Sequence, residues 1–284
     1  MAKVSLSART WSRRSAADGC GRRWLPHGLL LGSLLVCAGG HSTAHAAPAW
    51  VERGTNLPKS VWAFDPGLGS AFADPPAGDS LFGAGLNLEL AVGVLTDLEL
   101  GFRTGLRLGN DGRALRADGY GRLFDRQTFG TNNDSVANPE LRARGRLVNG
   151  SIAELALEGR AYLPIEDYSR FGIMVGLPLL LHLGRVRLDT GLYIPIIFRE
   201  RTEVDVSVPV DLWIQASQRF WIGPMSGVRI YNPDSRTDVS LGLGLGYQFT
   251  HAIDLKVMWL FPGINHSQGA RSFGVGVGLQ LRIE

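Results

Sequence analysis

Cysteine is almost absent from these 284 residues: there are two, Cys20 and Cys37, both within the first 46 positions. Everything beyond them can form no disulfide and carry out no thiol chemistry. Histidine is scarce as well. Past position 46 only His182, His251 and His266 occur, on separate elements and with no spacing suited to a metal site. Charged residues make up 19% of the chain, and lysine is nearly missing from its regular segments. No phosphate-cradling or nucleotide motif stands out, since GLGLG at 242–246 is plain strand alternation. Helical periodicity is absent after residue 46. No metal and no cofactor is expected.

What is present begins with Lys3, Arg9, Arg13, Arg14, Arg22 and Arg23, followed by an apolar run from Gly28 to Ala38 and then Ala44-His45-Ala46. Basic, apolar and small-residue regions in that order predict a signal peptide over residues 1–46, cleaved after Ala46. The apolar run is about eleven residues, short of the roughly 20 that a spanning helix needs. Cys37 does not suit lipoprotein acylation, because Val36 stands where such sites carry a small residue. Without residues 1–46, 23 of the 29 basic and 25 of the 26 acidic residues remain. The apparent basicity therefore belongs to the leader, and nucleic-acid binding loses its compositional support.

From Leu81 to the C-terminus apolar residues recur at every second position, which predicts two-faced strands. Leu86, Leu88, Leu90, Val92 and Val94 alternate with Asn87, Glu89, Ala91 and Gly93. After a turn at Thr96-Asp97, Leu98, Leu100, Phe102, Leu106 and Leu108 alternate with Glu99, Gly101, Arg103, Gly105 and Arg107. The pattern returns over 171–183, 186–198, 204–214, 239–249, 253–261 and 273–283. With a first strand near Ser60 to Phe64, about twelve strands are expected. Short connections (96–97, 148–150, 184–185, 216–219, 250–251) alternate with generally longer ones (65–80, 110–139, 164–170, 199–203, 232–237, 263–271), as in barrels with short periplasmic turns and longer outer loops. Pro178, Pro195, Pro209 and Pro224 fall inside strand-like runs. Since a closed barrel has no edge to hold them, bulges or broken pairing are expected there.

A soluble barrel turns its apolar side chains inward and covers the outside with Lys and Glu. Here each apolar face carries about five or six large residues, more than the interior of a twelve-strand barrel could pack. They must face something apolar outside. Aromatics on that register gather at strand ends, with Phe171, Phe198, Trp259, Phe261 and Phe273 towards the long connections and Phe220, Tyr247 and Phe249 towards the short ones. Two such belts suit the two headgroup levels of a bilayer. The expected fold is an all-β, antiparallel, up-and-down transmembrane β-barrel over residues 47–284, with both termini periplasmic.

The whole layout after residue 46, Asn138-Pro139-Glu140-Leu141 entering an Arg-rich strand, and the closing Gly278-Leu279-Gln280-Leu281-Arg282-Ile283 together resemble proteobacterial outer-membrane β-barrel proteins. The resemblance is to the putative channel and transporter group that includes barrels associated with aromatic-compound degradation. It implies outer-membrane lipids as surroundings and recognition of the last strand by the barrel-assembly machinery, although the chain ends in Glu284 and not in the usual aromatic residue.

Function is expected to lie in the second face. Glu89, Glu99, Arg103, Arg107, Arg142, Arg144, Arg146, Glu154, Glu158 and Arg160 would point inward from early strands, and Asp189, Asp205, Asp211, Arg229, Asp254 and Lys256 from later ones. Neighbouring strands bring opposite charges together, which lowers the cost of placing each in the barrel. One reading is a water-filled lumen passing a small-molecule solute, favoured because so many lumen positions are glycine. The other is a structural or adhesive barrel plugged by these charges and the segment 110–139. An outer-membrane hydrolase would need a rim constellation, and His266-Ser267 alone does not make one.

Overall fold

The computed structural model describes residues 49–73, 80–109, 136–165, 171–198, 202–232, 236–265 and 271–284. The expected leader and most of the segment 110–139 lie outside the described residues. Thirteen strands form one antiparallel sheet: β1 (Trp62–Ala73), β2 (Leu81–Leu95), β3 (Leu98–Gly109), β4 (Val136–Asn149), β5 (Ala153–Tyr162), β6 (Gly172–Leu183), β7 (Val186–Ile197), β8 (Glu203–Val204), β9 (Val206–Gln215), β10 (Phe220–Tyr231), β11 (Arg236–Thr250), β12 (Ile253–Phe261) and β13 (Ser272–Ile283). β8 and β9 are one strand interrupted at Asp205, so the wall has twelve spans. Pairing runs from β6 down to β1, on to β13 and down to β7, and the β6–β7 ladder closes the ring. Closure removes every sheet edge, which a bilayer would leave without hydrogen-bond partners. β1 extends nine residues beyond the expected Phe64, through Ala73, because its whole length pairs with β2 and most of it with β13.

The two faces separate as the alternation requires. Leu68, Leu90, Leu100, Phe102, Leu106, Leu141, Val175, Leu177, Leu241, Leu243 and Val277 are exposed on the outside, while Ala63, Asp65, Ala91, Glu99, Glu140, Glu158 and Arg160 are buried within. The aromatic belts are physical clusters. Phe171 stacks on Phe198 at 5.6 Å, Trp259, Phe261 and Phe273 form a ring group joined by Phe72, and Tyr247 meets Phe249 edge-on at 5.1 Å. Such an exterior is stable only against lipid. Leu100→Arg should accordingly cost about 2–4 kcal/mol near the bilayer midplane. Urea titration of the barrel folded in liposomes measures it; a soluble barrel would lose nothing there.

The in-strand prolines sit where rungs are missing. In β5–β6 the ladder jumps from Leu155↔Leu179 to Glu158↔Gly176 around Pro178. In β7–β9 it jumps from Thr190↔Val210 to Tyr193↔Ser207 around Pro209, and Asp205 donates its N–H to the Pro195 carbonyl at the β8–β9 break. In β9–β10 it jumps from Ile222↔Ile214 to Met225↔Asp211 around Pro224. Pro66 and Pro139, which were not expected to lie within strands, occupy gaps of the same kind in β1–β13 and β3–β4. A residue with no N–H thus falls on the side where no partner is in register.

The inner glycines differ from expectation. A Cβ at Gly244 would lie 2.4 Å from the Trp213 ring, one at Gly246 2.2 Å from Trp221, and one at Gly176 2.5 Å from Tyr193. These positions make room for aromatic rings that lie across them and do not leave the lumen open. Gly246→Val should overpack this wall and cost about 1–3 kcal/mol or more, read from the same unfolding titration. Trp221→Ala in the same chain should recover part of the loss.

Candidate functional site

The lumen is not empty at its short-turn end, because residues 49–61, preceding β1, cross it. The segment starts with a 3-10 turn, Trp50–Glu52, whose Trp50 and Val51 are buried. The Trp50 indole stacks on Trp221 (5.1 Å, 7° between planes) and meets Trp213 edge-on at 5.2 Å. The Arg187 guanidinium and the Lys256 ammonium stand 4.4 and 5.1 Å from the centre of its ring. Met225 and Leu260 complete this apolar cluster on the β9–β12 wall.

From there the chain is tied to one wall after another. Arg187 Nη1 donates to the Arg53 carbonyl (2.7 Å), and a His182 ring nitrogen lies 2.9 Å from the Val51 carbonyl. Arg53 makes a two-pronged ion pair with Asp254 on β12. The Thr55 N–H and hydroxyl both donate to Glu154 on β5, at 2.9 and 3.1 Å. Asn56 Nδ2 donates to the carbonyls of Asp97 and Arg144, and the Leu57 N–H donates to Glu99 at 2.8 Å. At Ser60, with φ +68°, the chain turns into β1 and donates its N–H to the Gly93 carbonyl. Position 93 has to be glycine, as a Cβ there would lie 2.0 Å from the Pro58 carbonyl oxygen. The segment is therefore fixed by side chains from nearly every wall and by little backbone pairing of its own.

The expected inward charges assemble into a ladder on β2–β5. Arg142 bridges Glu89 (2.6 Å) and Glu99 (2.7 Å). Arg144 pairs with Glu158 (2.5 Å) and donates to the Thr55 carbonyl (2.7 Å). Arg160 joins Glu158 (2.7 Å) to Glu140 (2.8 Å), and Glu158 is fully buried. Arg103 stands in register between Glu89 and Glu140. Arg146 reaches Asp97 and Glu154 near the short turns. The register itself makes these pairs, since Glu99 opposes Arg144 and Arg144 opposes Glu158. Arg107 pairs its backbone with Gly85, and its side chain lies outside the described residues.

Asp205 and Arg229 are not part of that ladder. They form a separate buried pair at 2.7 Å on the opposite wall, where Arg229 also covers the Tyr231 ring and Asp205 occupies the β8–β9 break. Asp211 opposes Asp189 across β7–β9, while Asp189 holds Arg187 at 2.9 Å. Lys256 and Asp254 meet the entering segment, as described. Sequence reading missed Trp50, Arg53, Thr55 and Asn56, the wall tryptophans Trp213 and Trp221, and Asp65, Gln280 and Arg282. One signal was available: Trp213 and Trp221 fall on the inner register, an odd place for large aromatics unless something apolar enters the lumen.

Between the entering segment and the charged wall lies a cavity of about 590 Å³, lined by residues of both, Arg103 and Arg142 among them, and by Lys256 and Arg282 from β12 and β13.

Neither a protein-family model nor a curated protein matches the sequence. Solved structures do match in fold. An outer-membrane channel of the COG4313 group from Pseudomonas putida F1 superposes with a TM-score of 0.58 at 12% identity, over 83% of this chain and 99% of that one. The NanC porin gives 0.53 at 9% identity, over 78% and 100% respectively. The closed twelve-span wall, its apolar exterior and these likenesses together give the chain the fold of the proteobacterial outer-membrane channel and porin barrels.

Proposed function

We propose that the chain is an outer-membrane channel for small solutes, held closed by its own segment 49–61. It sits with both termini in the periplasm and the long connections outside, as the alternation of connection lengths suggests. The observation that carries this reading is the manner of closure. The segment is held by hydrogen bonds, an ion pair and a few buried apolar side chains with Trp50 the largest, all reversible, inside a lumen whose walls keep a polar cavity. A barrel with a purely structural role has no need of a charged interior, which costs desolvation at every position. The lumen would conduct when the segment leaves its wall contacts. Catalysis forms no part of this reading.

The plugged, non-transporting barrel has one observation in its favour, the rings filling the space at Gly176, Gly244 and Gly246. Voltage across a planar bilayer holding the refolded chain from Ala47 separates the two. The channel reading expects long closed periods broken by large steps of current as the segment leaves and returns. A membrane silent at every voltage would leave the structural reading standing.

A further inference from the structure

Counted over the described residues, inward acids and bases nearly balance, yet they are not equally placed. Around the cavity basic side chains outnumber acidic ones ten to five. The reason is reach. Glu158 (fully buried), Glu140 and Asp254 lie against the wall and contribute nothing to the cavity surface, whereas their partners Arg144, Arg160 and Arg53 all line it. Short carboxylates stay at the wall and long guanidiniums extend over them, so a nearly neutral composition gives a positive interior. Across the cavity Lys256 and Arg282 add positive charge from β12 and β13. Arg142 lines the cavity as well, its guanidinium held between Glu89 and Glu99.

We infer that this cavity is a binding site for small multivalent organic anions, polycarboxylates in particular, held between the Arg103–Arg142 side and Lys256–Arg282. This deepens the channel reading by naming a solute class for it. Guanidinium donors suit carboxylate geometry, and a low-dielectric wall strengthens each contact. A positive constriction also rejects cations.

The test is calorimetric titration of citrate into the refolded barrel at low ionic strength, with folding checked by heat-modifiable gel mobility. The expected result is saturable binding to one site, lost progressively as salt is added. It should be at least about tenfold weaker in Arg142→Gln, the size of losing one charged hydrogen bond. Because Arg142 also holds Glu89 and Glu99, Lys256→Gln on the far wall serves as the second variant and should weaken citrate similarly. No saturable binding, binding unchanged in both variants, or calcium bound in place of citrate would overturn the inference. The channel reading fails separately: citrate bound by a barrel that never conducts retains the site and removes the transport. Current that prefers potassium over chloride, without citrate binding, does the reverse.

Discussion

Replacing Trp50 by alanine should raise the fraction of time that the barrel conducts by at least about tenfold, since each 1.4 kcal/mol taken from the closed state is a factor of ten. Trp50 is the largest side chain that the entering segment packs into an apolar cluster, stacked on Trp221, edge-on to Trp213, and covered by Arg187 and Lys256, with Val51 beside it. Truncating a buried aromatic costs about 3–5 kcal/mol in packed surroundings, and ring stacking and cation–π contacts account for about 0.5–1.5 kcal/mol each within that. The remaining ties, the Arg53–Asp254 ion pair, the hydrogen bonds and the Leu57 and Val61 contacts, hold other parts of the segment and do not fill the space that Trp50 leaves against Trp213 and Trp221. Single-channel recording counts open time directly. Trp50→Phe should fall between the two, as stacking survives with less area. Identical open times in all three would mean that the segment does not close the lumen.

The second large effect is expected in the wall. Glu158→Gln should destabilise the barrel by about 3–5 kcal/mol, because removing one member of a buried ion network leaves its partners as uncompensated charge. Glu158 is fully buried, accepts from Arg144 on one oxygen and from Arg160 on the other, and has no route to solvent that could replace them. Glu89→Gln offers the contrast. Its side chain is 15% exposed, and Arg142 keeps Glu99 as a second partner, so the loss should be clearly smaller. Urea unfolding in liposomes, followed by tryptophan fluorescence, compares them. Equal losses would show that the network contributes only generic polarity.

Two-residue periodicity made the wall readable in advance. Leu100 and Phe102 outside and Glu99 and Arg103 on the other register follow from alternation alone, because a shift of one residue would have reversed every side chain. Cross-strand charge pairing was readable for the same reason, and Glu99–Arg144–Glu158 is the result. Proline positions were legible as interruptions, but not the particular rung each one removes, which depends on the neighbour's register. The entering segment was legible only through its wall partners, Trp213 and Trp221 on the inner register, and not in its own residues. Residues 49–61 have no period, and their destination is set by partners such as Asp254, some two hundred positions later. Glycine was legible as an inner-face residue and misleading as to purpose, since the rings that occupy Gly244 and Gly246 come from β9 and β10.

The most direct measurement is the single-channel current of the chain from Ala47 beside that of the same chain lacking residues 49–57, refolded identically and recorded in the same bilayer. Closure by this segment expects the intact barrel to rest closed with intermittent openings, and the shortened one to hold a steady open current at the level of those openings. A shortened barrel that gates as the intact one does, or that stays silent while correctly folded, would contradict the account.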